Sequence, residues 1–389
     1  MENSQNAIVS ASGDLSVCNT QPAMLTLSFT GSGREYFKIW LTNLCLSLLT
    51  LGLYTPWAKC RRMQYLARHT WLDGQHFDFR ANPWRILLGR ITILATLFLL
   101  SWKDFFSKAV VTGLLLTLLL LCPLLLRSAL RFRLQNTYYR GIPLRFTGTV
   151  PGALLSYLPL SCYLFAVPLF VLYGFKLEIM GGIQLALALL LWPMVLISIK
   201  RYQHHHVSYA SIHTRFSASM LPVYGYYLLT IVIAITQLAG LGLMLLFFYG
   251  VLGKESQAFI DEWLGTGQWL KFTIIGLSLI FVWLAYLFVM PVWRARMWNH
   301  IWSHTEINGQ FCQPSYRTQQ VFQLMLKNSL LIIFSLGFYR PYAIIAWQKF
   351  RLSHLALPAI VWDELRAQTE AQRQAQDGLA DGLNLDFSW

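Results

Sequence analysis

Residues 56–74 read PWAKCRRMQYLARHTWLDG and set a spacing that returns four more times along the chain. In each occurrence a proline is followed thirteen residues later by His or Asn: Pro56 and His69, Pro123 and Asn136, Pro193 and His206, Pro291 and His304, Pro341 and His354. In the first four occurrences a turn-forming block comes next, at 70–74, 137–141, 207–211 and 305–309. A fixed offset between a helix breaker, a polar capping residue and a turn predicts one structural unit used about five times.

The composition predicts a membrane protein. The 389 residues are 56% hydrophobic and 12% charged, with mean hydropathy +0.46. Long apolar runs cover 36–54, 84–102, 109–126, 152–173, 179–199, 223–251, 270–293 and 320–339, and most reach the ~20 residues that a helix needs to cross a bilayer. We therefore predict an all-α polytopic fold of six to eight transmembrane or re-entrant helices, built from about five degenerate repeats, with short cytoplasmic β-hairpins. Residues 1–23 lack an apolar stretch, so no cleavable signal peptide is expected.

The positions of the basic residues predict the orientation. Connections 54–84, 127–150, 200–222 and 294–319 carry sixteen Lys and Arg, whereas 103–108, 174–178 and 252–271 carry five. The positive-inside rule places the first set in the cytoplasm, against the anionic lipids of the inner leaflet. Nucleic-acid binding is not expected despite the isoelectric point near 9.6, because the basic residues flank apolar runs instead of forming a separate domain.

The turn-forming blocks predict short hairpins. Asp73-Gly74 and Asn308-Gly309 are strong two-residue turn signals, while Arg140-Gly141 and Ala210-Ser211 are weaker. Near the N-terminus, Phe29-Thr30-Gly31 resembles Phe146-Thr147-Gly148 and predicts a second strand without its hairpin partner. We expect these strands to gather into one cytoplasmic β layer, with separate unpaired turns as the alternative. The second strand of each hairpin is expected to end five residues after the turn, at Phe79, Phe146, Phe216 and Pro314.

The prolines and histidines have structural interpretations. Each proline is expected to kink a membrane helix, which continues along the interface as a basic, aromatic extension and ends at the His or Asn. His300 and His304 have a spacing that zinc can use, but no Glu or Cys lies with them on that helix. We predict no metal site and no cofactor.

The first and last units are shorter than the others. Asn43 precedes Thr50-Leu51-Gly52-Leu53-Tyr54-Thr55-Pro56-Trp57-Ala58, and Asn328 precedes Ser335-Leu336-Gly337-Phe338-Tyr339-Arg340-Pro341-Tyr342-Ala343, without a gap between the two series. Two topologies stay open for segments 36–54 and 320–339. Either both span, which gives eight crossings with both termini outside, or both re-enter, which gives six crossings with both termini in the cytoplasm.

The run from Phe29 to Gly31, with Asn43, the stretch 50–58 and the block 70–74, resembles the YjgN-like family of bacterial inner-membrane proteins, a domain of unknown function. The resemblance covers roughly residues 24–355 and implies a multi-pass protein of the bacterial inner membrane. It implies no substrate and no catalytic residues. On this basis we divide the chain into a flexible segment 1–23, a repeat-built transmembrane domain 24–355, and a segment 356–389 with a short helix and an acidic tail.

Polar residues at the two Gly/Pro breaks are the candidate pore or substrate site, since paired interrupted helices indicate a transport site. The alternative is hydrogen bonding between helices, worth ~0.6 kcal/mol per contact. Four arginines are candidate lipid or anion contacts, with interfacial snorkelling as the alternative. The pore set is Asn43, Thr50, Gly52, Tyr54, Pro56, Asn328, Ser335, Gly337, Tyr339 and Pro341, and the arginines are Arg85, Arg90, Arg131 and Arg133.

Three classes of function stay open. A transporter or channel for a small solute or ion is favoured by the paired breaks. A membrane scaffold or lipid-interacting protein of the cytoplasmic leaflet is favoured by the basic inner surface and by the absence of an acidic residue within the apolar runs. An enzyme is not expected, because no catalytic set is recognisable. Membrane lipids are the predicted partners, and a protein partner or homo-oligomer stays open.

Overall fold

The computed structural model describes residues 24–101, 105–174, 176–251 and 268–359. The predictions for segment 1–23, for the acidic tail and for most of connection 252–271 lie outside the described residues. Ten helices are described: α1 Gly33–Leu49, α2 Thr55–Arg68, α3 Pro83–Ser101, α4 Lys108–Gln135, α5 Val150–Leu172, α6 Leu177–His205, α7 Leu221–Val251, α8 Gln268–Ser303, α9 Thr318–Phe334 and α10 Arg340–Ser353.

Twelve short strands are described, most of them between the helices. They are β1 Met24–Thr26, β2 Ser28–Phe29, β3 Thr70–Leu72, β4 Gln75–Phe79, β5 Thr137–Tyr139, β6 Ile142–Phe146, β7 Val207–Tyr209, β8 Ile212–Phe216, β9 Thr305–Ile307, β10 Gln310–Phe311, β11 Gln313–Pro314 and β12 Leu355–Pro358. Strands β2 to β10 form one nine-stranded antiparallel sheet in chain order, and β1, β12 and β11 form a second sheet. The prediction of a joint β layer is confirmed. The described chain is mostly helical, as predicted, but its hairpins assemble into two sheets, so the all-α class is too narrow.

The two sheets together make a closed ring. Only Leu27 separates β1 from β2, and only Cys312 separates β10 from β11. The chain therefore carries the pairing from one sheet to the other at both ends, and β12 closes the circle between β1 and β11. A closed ring has no free strand edge, which removes the main route to edge-to-edge aggregation.

Equivalent positions pair around the whole ring. The predicted last residue of each second strand lies opposite the first residue of the next strand pair: Phe29 opposite Thr70, Phe79 opposite Thr137, Phe146 opposite Val207, Phe216 opposite Thr305, and Pro314 opposite Leu355. The next backbone N–H in each case donates to the carbonyl of the capping His or Asn, at 2.9 to 3.1 Å. The strand at Phe29, predicted to lack a hairpin partner, is completed by β12 from the other end of the chain.

The turns follow their sequence signals. Asp73, Arg140 and Asn308 have φ of 46°, 48° and 52°, and each is followed by a glycine with positive φ. Two such residues in succession make the turn that suits the twist of a two-residue hairpin. Ala210 takes the same conformation, with φ 50°.

Apolar side chains fill the ring. Leu72, Tyr139 and Tyr209 hold the same position in three successive first strands and are buried there with Leu27 and Cys312. Trp298, Trp302 and Leu352 cover this core from the helices. Burial raises the pKa of the Cys312 thiol to about 12, so this cysteine is an uncharged part of the core.

The predicted capping role of the His and Asn residues is confirmed. His69, Asn136, His206 and His354 directly follow helix ends, and His304 follows α8. In all five, a side-chain nitrogen lies 2.6 to 3.0 Å from the carbonyl oxygen four residues earlier. His300 Nε2 lies 3.1 Å from the Ser219 carbonyl. These ring nitrogens are thus engaged with the backbone.

All five repeat prolines are fully buried, but they do not all act as predicted. Pro123, Pro193 and Pro291 lie inside α4, α6 and α8. Pro56 and Pro341 instead start α2 and α10, where the missing N–H and the fixed φ suit the first helical turn. The kink predicted at these two prolines is therefore wrong: the chain breaks just before them.

The helices form a circle above the ring. The main helix–helix contacts join helices that are consecutive in the chain, and α1 packs against α10. Between α3 and α4 the circle is completed by the cluster around Phe79, on which Ile86 of α3 and Phe132 of α4 both pack. At this closure, a Cβ on Gly33 would meet a Tyr342 ring carbon at 2.4 Å. Among the described residues, four helices are long and apolar enough to cross a membrane: α4, α5, α7 and α8.

Candidate functional site

The two predicted breaks have the same backbone geometry. At the first, Leu51 and Gly52 have φ of 48° and 87°, and at the second, Leu336 and Gly337 have 51° and 93°. The glycine N–H donates to the carbonyl five residues earlier, at 2.7 Å and 2.8 Å. This Schellman ending normally places glycine first in the left-handed region, whereas here a leucine precedes it. Each break therefore stores backbone strain at a highly exposed leucine.

The hydroxyl residues hold these turns closed. Thr50 Oγ1 donates to the Leu46 carbonyl at 2.7 Å and accepts from the Tyr54 N–H at 3.0 Å. Ser335 accepts in the same way from the Tyr339 N–H, at 2.8 Å. The hydrogen bonds of both hydroxyls thus serve the turn, while Tyr54 and Tyr339 stack on the aromatic residues three positions later.

Asn43 and Asn328 are the unusual members of the pore set. Their exposed fractions are 8% and 9%, and the side-chain carbonyl oxygen of each is buried without a hydrogen-bond partner. An unpaired buried polar atom costs about 1–3 kcal/mol. Asn43 lies in α1 and Asn328 in α9, which belong to different helical hairpins. In the circle, α10 lies between these two helices. The Tyr54 hydroxyl is also buried and unpaired.

The four predicted arginines do not form one group. Arg90 donates to the Thr55 hydroxyl, and its guanidinium lies 3.7 Å from where a Cβ on Gly52 would be, so α3 contacts the first break. Arg85, Arg131 and Arg133 are exposed. Of these, Arg133 is close enough to repel Arg351 electrostatically.

Sequence reasoning missed a second group of polar residues inside the circle of helices. Lys200 of α6 and Arg351 of α10 interact with each other electrostatically, and the Arg351 guanidinium lies 4.6 Å from the centre of the Trp298 ring. A signal was present, since Arg133 and Arg351 both stand ten residues after their repeat proline. The sequence predicts Arg133 as a lipid or anion contact and places Arg351 only in the basic, aromatic extension of its helix, because a repeat offset does not say which helices face each other.

Helical hairpins that pack on a closed ring of strands, with four helices of membrane-spanning length and composition among the described residues, define an integral membrane protein. Residues 24–384 match the model of a family described as bacterial protein of unknown function, DUF898. The chain belongs to this family.

Curated relatives agree with the resemblance seen in the sequence. The inner membrane protein YjgN of Salmonella typhimurium (strain LT2) is 28% identical over 182 residues, which cover 45% of this chain and 43% of the relative. YjgN of Escherichia coli (strain K12) is 29% identical over 126 residues, covering 32% and 31%. The chain spans less than half the length of these relatives. No solved structure matches it.

Proposed function

We propose that this protein is a non-enzymatic transporter or channel of the bacterial inner membrane, which moves a small solute or ion past the two Gly/Pro-broken hairpins. The observation that carries the proposal is the circle of helices, whose main contacts run between neighbours and not across the centre. Such an arrangement surrounds an axis on which a solute can be held. The membrane location is supported by the relatives, which are inner membrane proteins by name.

The proposed topology has six crossings and two re-entrant hairpins, built from five degenerate units. Each unit is a strand pair with the helical hairpin that follows it, and the recurring strand register and capping bonds support this division. Helices α1 and α9 have only 17 residues, or ~25 Å at 1.5 Å per residue. After each of these helices the chain reverses at the break and returns to the strand ring. The wall of the circle formed by α1, α2, α9 and α10 is therefore low, meaning that it extends less far from the strand ring than the rest.

This low wall gives the proposed route. The strand ring is filled by large apolar side chains such as Tyr139 and Tyr209, which oppose passage straight along the axis. A solute on the axis would instead leave sideways, over the tips of the short hairpins. Asn43, Asn328 and Tyr54 offer unpaired polar atoms on this side of the circle.

Cysteine labelling tests the topology. In a variant lacking the six native cysteines, Arg34→Cys at the start of α1 and His76→Cys in β4, after α2, should both react with an impermeant maleimide from the cytoplasmic side only. Both residues are exposed, His76 within the strand ring and Arg34 in the first turn of the helix that follows β2. Labelling of the two positions from opposite sides would show that this segment spans, and would remove the low wall.

Flux through proteoliposomes tests the function. With potassium, chloride and inorganic phosphate as probes, Asn43→Leu combined with Asn328→Leu should lower the flux at least tenfold without lowering the melting temperature, because each change removes an unpaired buried oxygen. Thr42→Val combined with Ser329→Ala changes the polar neighbours on the same helices and should leave flux intact. Undiminished flux in the asparagine variant would assign both residues to helix packing.

The second candidate function is a scaffold or lipid-interacting protein of the cytoplasmic leaflet. It is favoured by the filled strand ring together with the exposed arginines beside it. No flux of any probe by the parent protein, with loss of a captured partner on charge reversal of Arg131 and Arg133 to Glu, is the result expected of a scaffold.

A further inference from the structure

Three cations converge inside the circle of helices. Arg133, Lys200 and Arg351 come from α4, α6 and α10, each within six residues of the capping residue that ends the helix. His204, four residues after Lys200, lies 5.3 Å from the Trp302 ring, Trp302 lies 5.5 Å from Trp298, and the Arg351 guanidinium lies over Trp298. These contacts bring the ends of α6, α8 and α10 together over the strand ring, whose core Trp298 and Trp302 cover. Arg351 is there within electrostatic range of both Lys200 and Arg133.

The described residues supply no carboxylate to this cluster. The ion pairs in that part of the chain join Asp78 to Arg68 and Arg80, Asp73 to Arg140, and Glu35 to His69. Lys200 Nζ donates to the Gln203 amide oxygen at 3.2 Å, and Arg351 lies over the Trp298 ring. Buried charges are normally paired, since removing a charge from water is costly.

Arg351 is largely surrounded by protein atoms but is not closed off from solvent. Burial, reinforced by repulsion from Arg133, lowers the pKa of Arg351. Lys200 and Arg351 nevertheless keep part of their surface accessible, and Arg133 is exposed. A ligand can therefore reach the cluster from the Arg133 side.

Two further donors border the cluster and lack partners. The Trp298 indole N–H and the Tyr316 hydroxyl are both buried without a hydrogen bond, and their rings stack at 5.0 Å. Tyr316 is 5% exposed and interacts electrostatically with Arg351. Unpaired donors beside cations that no described carboxylate neutralises are the set that a multivalent oxyanion would satisfy.

We propose that Arg133, Lys200 and Arg351 bind a phosphate-type anion at the centre of the circle of helices, either free phosphate or the headgroup of an anionic lipid. Arg binds phosphate oxygens through its planar fork of donors, and Lys does so as a point charge. The anion offsets the repulsion among the three cations. This binding does not depend on transport, so it holds or fails separately from the proposed function.

The test is binding to the full-length protein, measured by thermal stabilisation. Potassium phosphate is titrated in zwitterionic detergent against potassium chloride at matched ionic strength. In parallel, the protein is placed in phosphatidylcholine nanodiscs with and without phosphatidylglycerol. Stabilisation by phosphate in detergent identifies a free anion, and stabilisation by phosphatidylglycerol alone identifies a headgroup.

Arg351→Met is the decisive variant, and Lys349→Met, exposed on the same helix, is its control. Arg351→Met should bind at least tenfold more weakly yet melt no lower than the parent without ligand, because like-charge repulsion is relieved. Lys349→Met should bind as the parent does. If Arg351→Met does not fold, Lys200→Met replaces it and should likewise bind at least tenfold more weakly than the parent. Equal effects of chloride and phosphate with no effect of phosphatidylglycerol, or undiminished binding by the variants, would overturn the proposal.

Discussion

Replacing Tyr139 with alanine is expected to lower the free energy of unfolding by about 3–5 kcal/mol, as for other large-to-small changes of aromatic core residues. Tyr139 is 3% exposed and lies in the centre of the strand ring. Its hydroxyl donates to the Leu72 carbonyl at 2.7 Å, its ring stacks on Phe77 at 4.7 Å, and its carbonyl accepts from the Tyr209 hydroxyl at 3.0 Å. The change leaves a cavity and breaks a bond between two strand pairs.

Tyr138→Ala, on the opposite face of the same strand, is the matched control. Tyr138 is partly exposed and lies under the Arg80 guanidinium, an exposed contact worth about 0.5–1 kcal/mol. Denaturant unfolding in detergent measures both variants. Equal losses would show that the ring interior is not the packed core described here.

Replacing Ala356 with proline is the second change with a large expected effect, a loss of about 3 kcal/mol in the free energy of unfolding. Ala356 lies opposite Thr26 on one side and Gln313 on the other, so β12 is a central strand. Proline removes a ladder hydrogen bond in any central strand and is not accommodated there. The ring should open at β12, and the melting temperature should fall sharply.

Ala359→Pro, directly after β12, is the control and should melt close to the parent. Limited proteolysis would show whether the ring has opened, because the Ala356→Pro variant should become sensitive to cleavage near residues 24–29. If both variants melted like the parent, pairing between the two ends of the chain would not contribute to stability.

Much of the strand ring could be predicted from local sequence. Asp73-Gly74 and Asn308-Gly309 indicated their hairpins because a two-residue turn needs residues that tolerate positive φ. Phe29 could be assigned to a second strand through its likeness to Phe146. The strand at 355–358 was missed, since its partner follows no turn and lies at the other end of the chain. Turn chemistry marks only hairpins that are local in sequence.

The candidate site was less accessible to sequence reasoning. Spacing placed Arg133 and Arg351 at equivalent positions, but their proximity depends on the closure of the circle by α1 and α10. That closure rests on tertiary contacts such as Gly33 against Tyr342, which no pattern within one helix reveals. The pore role of Asn43 and Asn328 stays a prediction, although both are buried and unpaired.

The pairing of β1 with β12 forms the seam at which the two ends of the chain close the strand ring, and this seam has a consequence for biosynthesis. One side of the seam is among the first parts of this sequence to leave the ribosome, and the other is made more than three hundred residues later. Until then, the early strand remains an unsatisfied edge that a neighbouring nascent copy could pair with instead. Completion of the ring is therefore timed by translation, and slow elongation would favour strand exchange between copies.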